Sequence, residues 1–117
     1  MLEKKYRITK NKEFAAVSGS KKSVYNPYCI LKFITNDLNY SRFGLIVSNK
    51  VSKKATQRSL IKRRVRAIIE KNFNKIKPSY DIVFIISPKV INQQAKVLQT
   101  SELEPIIISS FSKAKLI

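Results

Sequence analysis

Apolar residues recur along this chain with two different periods, and the changes of period mark out its elements. In "KNKEFAAVS" (10–18), Phe14 and Val17 stand on one side among polar neighbours, which predicts a short helix stopped by Ser18-Gly19. "SVYNPYCILKFIT" (23–35) is dense in β-branched and aromatic residues and predicts a strand, with Pro27 marking an edge position or a bulge. "NDLNYS" (36–41) is turn chemistry, and "RFGLIVSN" (42–49) predicts a second strand, paired antiparallel with the first. A helical period then takes over. In "KKATQRSLIKRRVRAIIEKNF" (53–73), Ile61, Val65, Ile68, Ile69 and Phe73 gather on one arc at about 100° per residue. Ser52 is the expected N-cap, and Leu60 falls outside the arc as an exposed apolar residue. "KPSY" (77–80) ends this helix, and "DIVFIIS" (81–87) is the continuous apolar run of a strand covered on both faces. "TSELEPIIISSFSKAKLI" (100–117) predicts a last helix, started by the spacing of Ser101 and Glu104 with Pro105 behind.

The expected order is α-β-β-(β)-α-β-α, an α+β fold with a mixed sheet in a two-layer sandwich. Strands 42–49 and 81–87, joined by the long helix, make a β-α-β unit and hence a parallel pair. With 117 residues, no repeat and no Pro/Gly-rich linker, residues 1–117 read as a single domain.

Charge changes the picture most. The formal net charge is +17, and it is lopsided: residues 1–77 hold 20 of the 24 basic side chains and 4 of the 7 acids. Such a balance repels itself unless a polyanion supplies the counter-charge, which makes nucleic acid the expected partner. An anionic membrane surface fits less well, because the basic helix lacks a broad aromatic face to insert. A charge run on a helix is ordinarily a solvated face. Here Arg58, Lys62 and Arg66 stand four apart in one row with Arg63 beside it, and Glu70 alone cannot neutralise them. Phosphates are the expected counter-charge. For Phe14, Tyr25, Tyr28 and Phe33, core packing is the default and stacking on unpaired bases the minority reading.

Chemistry in the polypeptide is not expected. There is no His, and Glu3, Glu13, Asp37, Glu70, Asp81, Glu102 and Glu104 are scattered; Asp81 reads as a turn residue opening its strand. A general acid–base pair or a carboxylate metal cage therefore has nothing to be built from, and no catalytic or metal-binding residue is assigned. Cys29 lacks both a disulfide partner and a His. With Gly19 and Gly44 as the only glycines, no phosphate loop is possible. A single thiol and the absence of a signal-peptide or membrane-length apolar run predict a cytoplasmic protein.

At "RITKNKEF", "SRFGLIVSNKVSKKATQRSLIKRRVRAII" and "YDIVFIISPK", the chain resembles the protein subunit of bacterial ribonuclease P, in order and spacing over nearly its whole length. The family's R-x-x-K-N-x-x-F opening is met by Arg7, Lys10, Asn11 and Phe14, and its G-L-x-V-S-K-K strand by Gly44, Leu45, Val47, Ser48, Asn49 and Lys50. Its R-N-R-x-K-R-x-x-R helix is met by Arg58, Ser59, Leu60, Lys62, Arg63 and Arg66. The resemblance implies a ribonucleoprotein in which the RNA subunit, with Mg2+, removes the 5′ leader of precursor tRNA. The polypeptide alone would bind no cofactor and need no obligatory protein partner and no membrane. It implies that Lys50, Lys53, Lys54, Arg58, Ser59, Lys62, Arg63 and Arg66 face the catalytic RNA. It also implies that Phe14, Tyr28, Lys32 and Ser48 hold the single-stranded leader, in a cleft between the basic helix and the sheet. A left-handed β-α-β crossover is implied too, where sequence rules alone choose the right-handed form. Ser59 and Leu60 replace an Asn and an Arg, Asn49 replaces a Lys, and Ser18 stands where a second leader-contacting aromatic is common. A ribosomal or assembly RNA-binding protein would share the charge, size and fold class and is the alternative reading. A protein-only ribonuclease is disfavoured by the missing His and carboxylate cluster.

Overall fold

The apolar run at 81–87 takes the place its composition demands, the centre of the sheet. In the computed structural model, which describes residues 2–117, this strand is Tyr80–Ile86 (β4). It is preceded by α1 (Asn11–Ser18), β1 (Ser23–Tyr25), β2 (Cys29–Thr35), β3 (Arg42–Ile46) and α2 (Ala55–Lys71), and followed by α3 (Thr100–Lys113). The sheet order is β1-β2-β4-β3. β2 runs antiparallel to β4, with Leu31 opposite Phe84, and β3 runs parallel to β4, with Leu45 opposite Phe84. The expected parallel pair forms. The expected antiparallel pair between the first two strands does not, because β4 inserts between them. A strand with apolar residues at every position loses most by lying at an edge.

The segment read as one strand over 23–35 is a hairpin, β1 pairing antiparallel with β2. Asn26 makes the turn: its Oδ1 accepts from the backbone amides of Tyr28 and Cys29 at 2.8 and 3.0 Å.

Strand alternation divides the apolar residues between two faces. Leu31, Phe43, Leu45, Ile82, Phe84 and Ile86 lie with α2 and α3 in the large core cluster, against Ile61, Val65, Ile68, Ile69, Leu103, Ile107 and Phe111. This is the two-layer sandwich. On the opposite face α1 adds a smaller cluster, with Ile8, Val17 and Val83 buried and Phe14, Ile34, Ile46 and Ile85 packed around them.

Three local expectations change. Ser52 does not cap α2; the flanking residue is Lys54, without a side-chain cap. The Ser52 hydroxyl instead donates to Gln57 Oε1 (2.6 Å) and accepts from the Lys54 amide, ordering the approach to the helix. α3 begins at Thr100, where its range was expected to begin, but its cap lies two residues before Ser101, with Gln99 as N-cap and Glu102 accepting from the Gln99 amide at 2.8 Å. The hydrogen bond from the Leu98 amide to the Val90 carbonyl fixes the chain just upstream. Leu60 is half-buried and packs against the large core cluster, since its aliphatic side chain reaches sideways from the edge of the arc.

Candidate RNA interface

On α2 the buried arc of Ile61, Val65, Ile68 and Ile69 fixes which side chains turn outward. Ser59 and Arg63 are exposed, and Arg58, Lys62 and Arg66 are half-buried along the flank. Lys50, Lys53 and Lys54 are exposed in the turn that enters the helix, so of the eight residues expected to face RNA five are exposed and three half-buried. Arg58 Nη1 donates to the Ser52 carbonyl at 2.9 Å, which ties the helix to that turn. Arg64 takes another direction and donates to the carbonyls of Val97 and Leu98 at 3.1 and 2.7 Å. Among the described residues, Arg58, Lys62, Arg63 and Arg66 form no salt bridge.

The fold adds Arg7 to this surface, which the reading of the helix alone missed. Arg7 reaches β3 through a parallel bridge to Phe43, and its Nε donates to the Leu2 carbonyl at 2.9 Å. Burial, and then the charge of Arg7, pull the Arg66 guanidinium below its ordinary pKa.

The expected cleft between α2 and the sheet does not exist, because the core side chains fill that space. The open sheet surface is on the other face, beside α1. There Phe14 lies over Gly44: a Cβ on Gly44 would stand 2.6 Å from Phe14 Cε1 and 3.2 Å from Ile8 Cβ. Lys32 Nζ donates to the Ser18 carbonyl at 2.9 Å, at the end of α1. Next to them, strand register lines up Tyr25, Ile30, Ile85 and Ile46 across all four strands. Tyr25 is 65% exposed and the three isoleucines are half-buried, an apolar shelf that no single strand's sequence reveals. Ser48 is exposed just beyond β3, where its carbonyl accepts from the Val51 amide at 3.0 Å. Tyr28 is not brought to this shelf; it lines a groove with Pro105 and Ile106 of α3.

Asp81 is a buried ion-pair partner and no turn residue. Arg42 grips it with two hydrogen bonds, Nε to Oδ1 at 2.9 Å and Nη2 to Oδ2 at 2.6 Å, while Nη1 donates to Glu13 Oε2 at 2.6 Å. This clamp fastens the start of α1 to the sheet. Asp81 acts on Arg42 first and Glu13 second, raising its pKa above the ordinary value. At Glu13 burial works upward, but the Arg42 and Lys10 hydrogen bonds outweigh it and hold the carboxyl below its usual range. Among the described residues no three His, Cys, Asp or Glu side chains come together, so the protein offers no metal cage. Burial pushes the Cys29 thiol up, which keeps it an inert core group.

The Ribonuclease P family model matches residues 2–107. The ribonuclease P protein component of Fusobacterium nucleatum is 36% identical over 110 residues, covering 94% of this chain and 97% of that protein. A solved mutant of the Staphylococcus aureus RNase P protein superposes with a TM-score of 0.86 at 26% identity, covering 98% of this chain and 92% of the other. The RNase P protein of Thermotoga maritima gives a TM-score of 0.77 at 30% identity, covering 88% and 92%. With that match over most of its length, and relatives of the same fold, the chain belongs to the ribonuclease P protein component family.

Proposed function

We propose that this protein works as the polypeptide subunit of a ribonucleoprotein in which RNA performs the cleavage that frees the 5′ end of tRNA. The observation that carries this reading is the division of labour between its two faces. Among the described residues, Lys50, Lys54, Arg58, Lys62 and Arg66 form no salt bridge, as suits a surface for the backbone of a folded RNA. The shelf of Tyr25, Ile30, Ile85 and Ile46, with Phe14 at its rim and Lys32 beside it, offers stacking area to unpaired bases. A single-stranded leader suits the shelf, and duplex or structured RNA suits the basic flank of α2.

The sequence has no His, and among the described residues no carboxylates gather into a cage, which supports a reading in which magnesium ions are held by the RNA. The Staphylococcus aureus mutant is described as defective in mRNA degradation activity. In this chain no cluster of described residues is equipped to hydrolyse RNA unaided, and none is assigned that role. The test is recovery and sequencing of the RNA bound to the tagged protein in its own cells. One abundant RNA of ribonuclease P type together with leader-bearing tRNA precursors is expected; ribosomal RNA in their place would support the alternative of a ribosome-associated protein.

A further inference from the structure

Resting on the RNA-facing reading of α2, we infer that the groove between the N-terminal segment and this helix is a pocket for one unpaired nucleotide of the RNA subunit. The phosphate would lie among Arg7, Arg63 and Arg66, and the base against Ala67 and the flat guanidinium faces. The groove encloses about 450 Å³, which is the size of a small-molecule site and more than a lone phosphate fills. Ser59, Arg63, Arg66 and Ala67 follow one another along a single stripe of α2, and Glu70 and Lys71 form the far end.

The site is built before any ligand arrives. Leu2 and Ile8 are both buried, at 3% and 5% exposure, and pin the segment on either side of Arg7. The bond from Arg7 Nε to the Leu2 carbonyl and the Arg7–Phe43 bridge then fix where its guanidinium stands. Arg7, Arg63 and Arg66 make no salt bridge among the described residues, so a phosphate would be their counter-charge. The mutual repulsion of Arg7 and Arg66 would be relieved by the same anion. Ala67 is exposed and small, which leaves a floor open between the charges where a larger residue would fill it. The whole sheet separates this groove from the shelf beside Phe14, so a leader lying on the shelf is on the wrong face to supply the nucleotide. The occupant therefore comes from the RNA that α2 faces.

Ala67→Leu and Ala67→Phe fill the floor while keeping every charge. They should weaken assembly with the cognate RNA subunit by roughly tenfold or more, the range of one lost base contact. Melting temperature and the salt slope of assembly should stay unchanged. Arg7→Gln should weaken assembly and flatten that slope by about one phosphate contact. If the bulkier side chain disturbs the helix, Ala67→Leu and a titration with adenosine monophosphate, adenosine and inorganic phosphate, followed by NMR at Ala67, decide the matter. The monophosphate should bind more tightly than either fragment. Full-strength assembly by stable Ala67 variants would overturn the pocket, even with Arg58 and Lys62 still needed. So would a loss seen only for leader-bearing precursor, which would assign the nucleotide to the leader. Failure of the wild-type protein to bind the RNA subunit at all would remove the underlying reading as well.

Discussion

Gly44 is the residue that sets where the Phe14 ring can lie. Its backbone is ordinary, and its importance lies in the space it leaves for the Phe14 ring. A methyl group there must push the ring aside, because 2.6 Å is far inside contact distance and Ile8 closes the other side. Gly44→Ala should therefore cost about 1–3 kcal/mol of stability through overpacking. It should also impair precursor binding much as Phe14→Ala does, with mature tRNA binding nearly unchanged. Thermal melts and paired binding measurements on the two RNAs check this; normal precursor binding would mean that the ring's position is irrelevant to the leader. At this scale the sequence was informative but incomplete. Helical phase alone separated Arg58, Lys62, Arg63 and Arg66 from Arg64, which turns to the Val97 and Leu98 carbonyls. Phase could not place Leu60, whose long side chain bends back to the core, nor Arg7, which reaches α2 only through the fold.

Among the elements, α1 and α2 make opposite use of arginine. Arg42 is spent internally, holding α1 to the sheet through Glu13 and Asp81. Arg42→Ala would leave Asp81, which is 5% exposed, without its counter-charge and with the Asn36 amide as its remaining side-chain donor, and should cost about 3 kcal/mol in a denaturant melt. A smaller, pH-dependent part belongs to Glu13, whose pKa is lowered in the folded state. That stability is present above the usual carboxylate range and disappears as pH falls through it, so Glu13→Gln should differ from wild type at neutral pH and converge with it in acid. On α2, Arg58, Arg63 and Arg66 lie along the flank proposed to face RNA, while Arg64 ties the helix to the Val97 and Leu98 carbonyls. Neutralising Arg58 or Lys62 should lower affinity for the RNA subunit and flatten the slope of log affinity against log salt by about 0.7–0.9 each. An unchanged slope would mean that these side chains point into water in the complex. Element boundaries followed local chemistry well where the period was strong, as in α2 and β4. The β1–β2 hairpin was hidden because Asn26-Pro27 interrupts a run whose composition is strand-like on both sides, although that dipeptide is itself a turn signal.

For the molecule as a whole, the sheet is a partition between the two faces proposed to meet RNA. α2 and α3 cover most of one face, and α1 covers only part of the other, which leaves the shelf beside it open. The class of fold, the parallel pair and the basic character of the long helix were legible in the sequence. The shelf was not, since Tyr25, Ile30, Ile46 and Ile85 are gathered from separate strands by a register that depends on β4 inserting between β2 and β3. No helix among the described residues is long and apolar enough to cross a membrane. The central claim is that this polypeptide positions RNA while another molecule cleaves it. Its most direct test is cleavage of precursor tRNA in magnesium by the repurified protein, by the cognate RNA subunit, and by the two together at near-physiological salt. Leader removal that is absent with the protein alone and far faster with both than with the RNA subunit is the predicted result. Accurate 5′ cleavage by the protein alone, or no gain on adding it to the RNA, would contradict the account.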